Sequence, residues 1–175
     1  MRAILPLLIA LVSPVALQAR ATDLDPINDL SPNYQPQARY TLSNNDVKSF
    51  IYRWFAAFDH QREAGYFLNR IASPIEMHYP GAPIRSEQDF LNWYKGVTDT
   101  IIWNSHQIDQ IEVSGSQKLG WEASYRVRWQ AREKSGATHD VMVAQRLYII
   151  RRGDQLKIAR LQAEILPEPG HDQAP

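Results

Sequence analysis

The sequence predicts an α+β domain in which helices come first and long antiparallel strands follow. Residues 47–58 carry an apolar stripe at helical spacing. Residues 121–131 alternate apolar and polar side chains, the period of a strand with one wet face. Helix-like and strand-like segments are also segregated along the chain, which separates α+β from α/β organisation.

The folded part is expected to begin at Ser43. Ser43, Asn44 and Asn45 offer N-cap side chains, and Asp46 puts negative charge where a helix dipole favours it. Val47, Phe50, Ile51, Trp54, Phe55 and Phe58 then form a core-facing stripe. Asp59-His60-Gln61 reads as a junction, with His60 as a surface or capping residue. Ala64, Phe67, Leu68 and Ile71 repeat the helical period in a second helix. Pro74 ends that helix and opens a short strand, Ile75 to Tyr79, and Pro80-Gly81-Ala82-Pro83 reads as a turn. A third helix starts at Ser86, with Asp89 three residues on as a weaker relative of the capping box, and Phe90, Leu91, Tyr94 and Val97 as its apolar face.

Everything after Thr100 reads as strand. Ile101 to Val113 is the first, ending at Ser114-Gly115. In the second, Trp121, Ala123, Tyr125, Val127, Trp129 and Ala131 alternate with polar residues. Val141 to Ile150 and Leu156 to Ile165 are two more, joined by a turn at Gly153-Asp154.

Composition narrows the function classes. The 175 residues suit one domain, and 44% hydrophobic content can fill a core. Nineteen basic against nineteen acidic residues leave no basic excess for a phosphate backbone, which argues against a nucleic-acid binder. With no cysteine there are no disulfides, thiolate metal sites or Cys nucleophiles.

Residues 1–21 read as a signal peptide: Arg2, an apolar run from Ile4 to Val12 broken only by Pro6, and small residues at Ala19 and Ala21. The run is far shorter than the ~20 apolar residues of a spanning helix. A periplasmic or secreted protein without stable membrane insertion after cleavage is therefore expected. Residues 22–42, punctuated by Pro26, Pro32 and Pro36, read as an extended arm. Residues 43–166 are the domain, and residues 167–175 read as a disordered tail.

The order of elements resembles the nuclear-transport-factor-2-like superfamily, which includes ketosteroid isomerase and the SnoaL-like cyclases. The resemblance rests on two aromatic-rich helices before Ile75 to Tyr79, the Pro-Gly turn leading to Ile84-Arg85-Ser86, and Trp103-Asn104-Ser105-His106 opening the first long strand. A strand with Trp129, another ending in Tyr148-Ile149-Ile150, and Leu156-Lys157-Ile158 complete it. It implies a cone-shaped curved antiparallel sheet wrapped around N-terminal helices, a cystatin-like α+β barrel. It also implies a conical pocket for a small, fairly apolar molecule, and a homodimer through the outer sheet.

Candidate chemistry follows from parity. Glu76 and His78 share one face of the short strand, and His106 and Asp109 are the ionisable residues of the next. Simple alternation groups His106, Ile108 and Gln110, whereas Ile111 and Val113 have opposite parity; a bulge near Asp109 would reconcile them. His106 with Glu76 is the expected acid–base pair, with Asp109 or His78 as substitutes, and Tyr52, Phe55, Tyr66, His78, Trp103, Trp129 and Gln145 are expected to line the pocket. No metal or other cofactor is required, and H-x-x-x-H spacing is absent. Arg126, Arg128, Arg146, Arg151 and Arg152 read as a solvated, salt-bridged sheet face.

The first functional reading is an exported protein that binds a small apolar molecule without turnover. The second is a cofactor-independent lyase, isomerase or hydrolase using His106 with Glu76 or Asp109. The third is a subunit of an envelope assembly.

Overall fold

The computed structural model describes residues 41–167, so the expected signal peptide and nearly all of the expected arm and tail lie outside the described residues. Helix α1 spans Asn44–Asp59. The backbone N–H and hydroxyl of Ser43 both donate to the Asp46 carboxylate, each at 2.7 Å, which fixes the start of the helix. Its stripe from Val47 to Phe58 is buried, with Ile51 and Trp54 fully so.

Helix α2, Ala64–Leu68, is a single short segment and does not reach Ile71. Ile71 instead makes an isolated parallel bridge to Ile158. Strand β1 covers Met77–Tyr79 and β2 covers Ala82–Ile84, so the expected turn is the bend of a small hairpin whose second strand contains Pro83. Helix α3, Glu87–Thr100, starts at Ser86, whose hydroxyl accepts the Asp89 N–H.

The long strands are β3 Ile101–Ser116, β4 Gly120–Glu133, β5 Thr138–Arg152 and β6 Gln155–Ile165. The six strands form one curved, unclosed sheet in the order β2-β1-β6-β5-β4-β3. Helices on a curved sheet are the expected α+β cone fold, and two details of strand pairing differ from an all-antiparallel sheet. Strand β1 pairs in parallel with the last strand, Met77 opposite Leu161, so the sheet is mixed. Strand β3 is a free edge, so the sheet does not close.

The parity conflict in β3 is resolved by a bulge. The ladder to β4 is regular from Asn104 to Asp109, then shifts before Glu112, and Gln110 lies in the left-handed region at φ +52°. One unpaired residue keeps Ile108, Ile111 and Val113 all packed against the core. At the far end Gly115, at φ +135°, lets the β3–β4 hairpin close; a Cβ there would lie 2.3 Å from the Gly120 carbonyl oxygen.

The core lies between the helices and the concave face. Trp54, Phe67 and Phe90 meet Trp121, Leu147, Ile149, Ile158 and Leu161 across it, all fully buried. Among the described residues, no helix is long and apolar enough to cross a membrane.

Candidate active site

Toward one end of the core the packing opens into a cavity of about 280 Å³. Phe55 and Phe58 of α1 form one side and Trp93 of α3 another; Val127, Trp129, Val143 and Gln145 come from the sheet. The lining is mostly hydrocarbon and aromatic because these positions continue the apolar stripes of their elements. Tyr79 lies flat on Trp93, with ring centroids 4.5 Å apart.

His106 and Tyr79 are the titratable residues of this wall. The His106 ring packs against Phe55 at 5.0 Å and Phe58 at 6.1 Å between centroids, and its side chain is 14% exposed. It does not meet Glu76 or Asp109. Its partner is Asp59, the last residue of α1. The Nδ1 atom lies 2.6 Å from Asp59 Oδ1, and the His106 backbone N–H donates to Oδ2 at 3.3 Å. One carboxylate thus takes both the imidazole and the main chain of β3. Asn104 reinforces the junction by donating through Nδ2 to the Phe58 carbonyl at 3.3 Å, and Gln61 Nε2 donates to the Ile101 carbonyl at 2.7 Å.

A carboxylate accepts, so the contact puts a proton on Nδ1; in the neutral imidazole the lone pair is then on Nε2. A carboxylate that orients a neutral imidazole and then stabilises its protonated form is the arrangement of a general base.

Gln145 is the buried polar residue of the sheet interior at 8% exposure, and its Oε1 accepts a 2.9 Å hydrogen bond from the Tyr125 hydroxyl. Burial, and secondarily the neighbouring Tyr79 phenol, hold the Tyr125 hydroxyl far above the ordinary phenol range, so it keeps its proton. Burial also raises Tyr79, against a smaller opposing effect of the Trp54 indole.

Of the residues expected at the site, His106, Phe55, Trp129 and Gln145 stand in the cavity wall. The others require correction. Glu76 is exposed and reaches Arg160 Nε at 3.3 Å, because Met77 takes the core-facing position of β1 and sends its neighbours the other way. For the same reason His78 lines a neighbouring open groove with Gln110, Arg126 and Arg146, which shares Gln145 and Ala163 with the cavity. Asp109 is exposed on β3 opposite Arg126, just before the bulge. Tyr52 and Trp103 are each 50% exposed. Tyr66 stacks under the Arg70 guanidinium at 3.5 Å from the ring centroid, outside the cavity.

Asp59 was missed as a site residue. Its signal was its position four residues after Phe55, on the same stripe, and an acid at the end of a helix that disfavours negative charge there. Arg128 is paired bidentately with Asp140 at 2.7 and 2.6 Å, and Arg151 with Asp154 at 2.7 Å, as a solvated face requires. Among the described residues, no three His, Asp or Glu side chains cluster to hold a metal ion.

No family model matches the chain, and no curated protein matches it. Solved structures do match in fold. One is a nuclear transport factor 2 (NTF2-like) superfamily protein from Salmonella enterica serovar Typhimurium: TM-score 0.61, 14% identity, covering 74% of this chain and 95% of that one. Another is a hexachlorocyclohexane dehydrochlorinase (LinA) type 2, with TM-score 0.62 and 10% identity, covering 70% and 84%. A third is a protein with a cystatin-like fold from Caulobacter vibrioides, with TM-score 0.61 and 11% identity, covering 71% and 90%.

Proposed function

We propose that this chain, whose fold is that of the nuclear-transport-factor-2-like proteins, is a cofactor-independent lyase or isomerase that removes a proton from carbon, with His106 as the base. The observation that carries the reading is the 2.6 Å His106–Asp59 contact at the wall of an apolar cavity. A histidine oriented by a carboxylate at the wall of an apolar cavity is the arrangement of a general base. The likeness to a dehydrochlorinase adds support, since loss of HCl from a carbon skeleton begins with a C–H proton.

The step is simple in outline. The C–H electron pair moves into the substrate, either toward a carbonyl oxygen or to expel a leaving group from the neighbouring carbon. The proton passes to Nε2, and the resulting imidazolium is held by Asp59. Return of that proton to another carbon completes an isomerisation; its loss to water completes an elimination.

The cavity sets the size of the substrate. An engineered cavity of about 150 Å³ holds benzene, so 280 Å³ suits roughly two fused rings. A direct test follows deuterium wash-in from heavy water at the acidic C–H of 2-tetralone by proton NMR. The wild-type chain accelerates exchange and His106→Gln does not. Binding of 2-tetralone with no acceleration over buffer overturns the catalytic reading in favour of ligand binding alone.

The amino-terminal export signal belongs to the same proposal and places the enzyme in the periplasm or outside the cell. Sequencing of the mature amino terminus should begin at Thr22; a chain isolated with Met1 intact refutes export by cleavage.

A further inference from the structure

We infer that Gln145 is an oxygen-binding subsite of the cavity: its Nε2 amide donates to a carbonyl oxygen of the ligand and selects compact cyclic ketones over hydrocarbons and halocarbons of the same shape. This deepens the proposed function and rests on it only for the reacting C–H; recognition of the oxygen needs no chemistry from His106.

Three observations lead here. Gln145 is 8% exposed and stands in the wall of an otherwise largely apolar cavity. A buried carboxamide there costs free energy unless its donors and acceptor are satisfied. Its Oε1 already accepts from the Tyr125 hydroxyl at 2.9 Å. That hydrogen bond sets the amide orientation, leaving Nε2–H₂ as the group that can donate to a guest.

The ladder explains why the amide is approachable. On β5, Gln145 lies opposite Tyr125 of β4 on one side and Ala163 of β6 on the other. Tyr125 supplies the orienting hydroxyl, while Ala163 is small and itself lines the cavity, leaving space beside the amide. The subsite and the base are also close enough for one guest. His106 and Tyr125 both pack on the Phe55 ring, at 5.0 and 5.7 Å between centroids, and His106 and Gln145 share the same cavity. A two-ring ketone can therefore place its oxygen on Gln145 while presenting a carbonyl-activated C–H toward His106. The negative charge that proton removal sends to oxygen then meets a preorganised donor.

The test compares 2-tetralone with tetralin, the same skeleton without oxygen, by quenching of the cavity tryptophans Trp93 and Trp129. The Gln145→Leu variant should lower the ketone-to-hydrocarbon affinity ratio roughly tenfold, the value of a hydrogen bond to an otherwise unsatisfied oxygen. Tyr125→Phe, which frees the amide to rotate, should lower it by less. Infrared spectroscopy gives a readout on the unmodified chain: the bound carbonyl stretch moves to lower frequency than in hexane, and Gln145→Leu reverses that shift. His106→Gln should abolish exchange yet leave the affinity ratio and the stretch unchanged, so failure of the base and failure of the subsite read differently. An unshifted stretch in the wild type, an unchanged ratio in Gln145→Leu, or a preference for 2-tetralol, which would require the amide oxygen to face the guest, each overturns the inference.

Discussion

Replacing Asp59 by Asn separates the stability of the fold from the function of the dyad. Asp59 is the last residue of α1, a helix with no basic residue in its final turn, so its charge sits at the negative end of the dipole. Neutralising it there should return about 0.3–1 kcal/mol. Against this, a charge-assisted hydrogen bond of about 1.5–3 kcal/mol becomes a neutral one of about 0.5–1.5 kcal/mol. The terms nearly offset, leaving a net loss of about 1 kcal/mol or less, a change of a few degrees in melting temperature. Catalysis has no such offset. The developing imidazolium loses its counter-charge, and the loss of about 1.5–3 kcal/mol in the transition state slows exchange roughly 10- to 150-fold. Urea unfolding and deuterium wash-in, run on the same preparation, give the two numbers. Wild-type exchange in Asp59→Asn, or a stability loss above about 3 kcal/mol, would make the carboxylate a structural clamp and refute the argument.

Other consequences are equally accessible. Leu161→Ala, at a fully buried position where β6 meets β1, should cost about 2–5 kcal/mol in urea unfolding. Gly115→Ala should cost about 1–3 kcal/mol, since its φ of +135° and the 2.3 Å approach to Gly120 admit no Cβ without movement of the hairpin. Ala163→Phe should block 2-tetralone binding while the unfolding midpoint stays near or above the wild-type value, because the new ring occupies the cavity. Acid should loosen the β4–β5 end first. Asp140 is held below its ordinary value, chiefly by Arg128 and then Gln130, and Glu133 chiefly by His139 and then Ser135. Both folded values are depressed, so their contribution is complete above the ordinary carboxylate range and is lost as pH falls through the lowered values. Amide exchange around residues 133–140, corrected for its intrinsic pH dependence, should show protection falling as pH drops below the ordinary carboxylate range; constant protection would contradict the assignment.

Much of the fold was legible because long elements repeat their signal. The α1 stripe and the β4 alternation each span more than ten residues; every residue of the α1 stripe is buried, and the β4 alternation is followed from Trp121 to Arg128. Short elements gave no such repetition. Strand β2 has three residues, one of them Pro83, and read as a turn; α2 is five residues long, so Ile71 looked like its next turn. The parallel pairing of β1 with β6 joins segments more than eighty residues apart and leaves no local mark. At the site, the parity of β3 brought out His106, and apolar periodicity brought out Phe55 and Trp129. The partner of His106 did not emerge, since a polar residue closing a helix looks like a terminator until the strand it faces is known. Glu76 and His78 were misdirected by a simpler cause: either parity of a three-residue strand looks plausible, and the buried Met77 decides it.

That β1–β6 pairing also has a temporal meaning. Residues 77–79 are made early, yet the edge they dock on is the last strand of the domain, and the cavity wall includes Ala163 and Ile165 from that same strand. Until residue 165 has emerged, a growing chain holds helices with an uncovered aromatic face and an unfinished sheet. His106 and Asp59 are both synthesised by residue 106, but the chamber beside them is completed only by β6. Contacts this distant in sequence are slow to form. The domain therefore becomes competent only once residue 165 has been made, and anything that must act on an unfolded chain has the interval before that in which to do so.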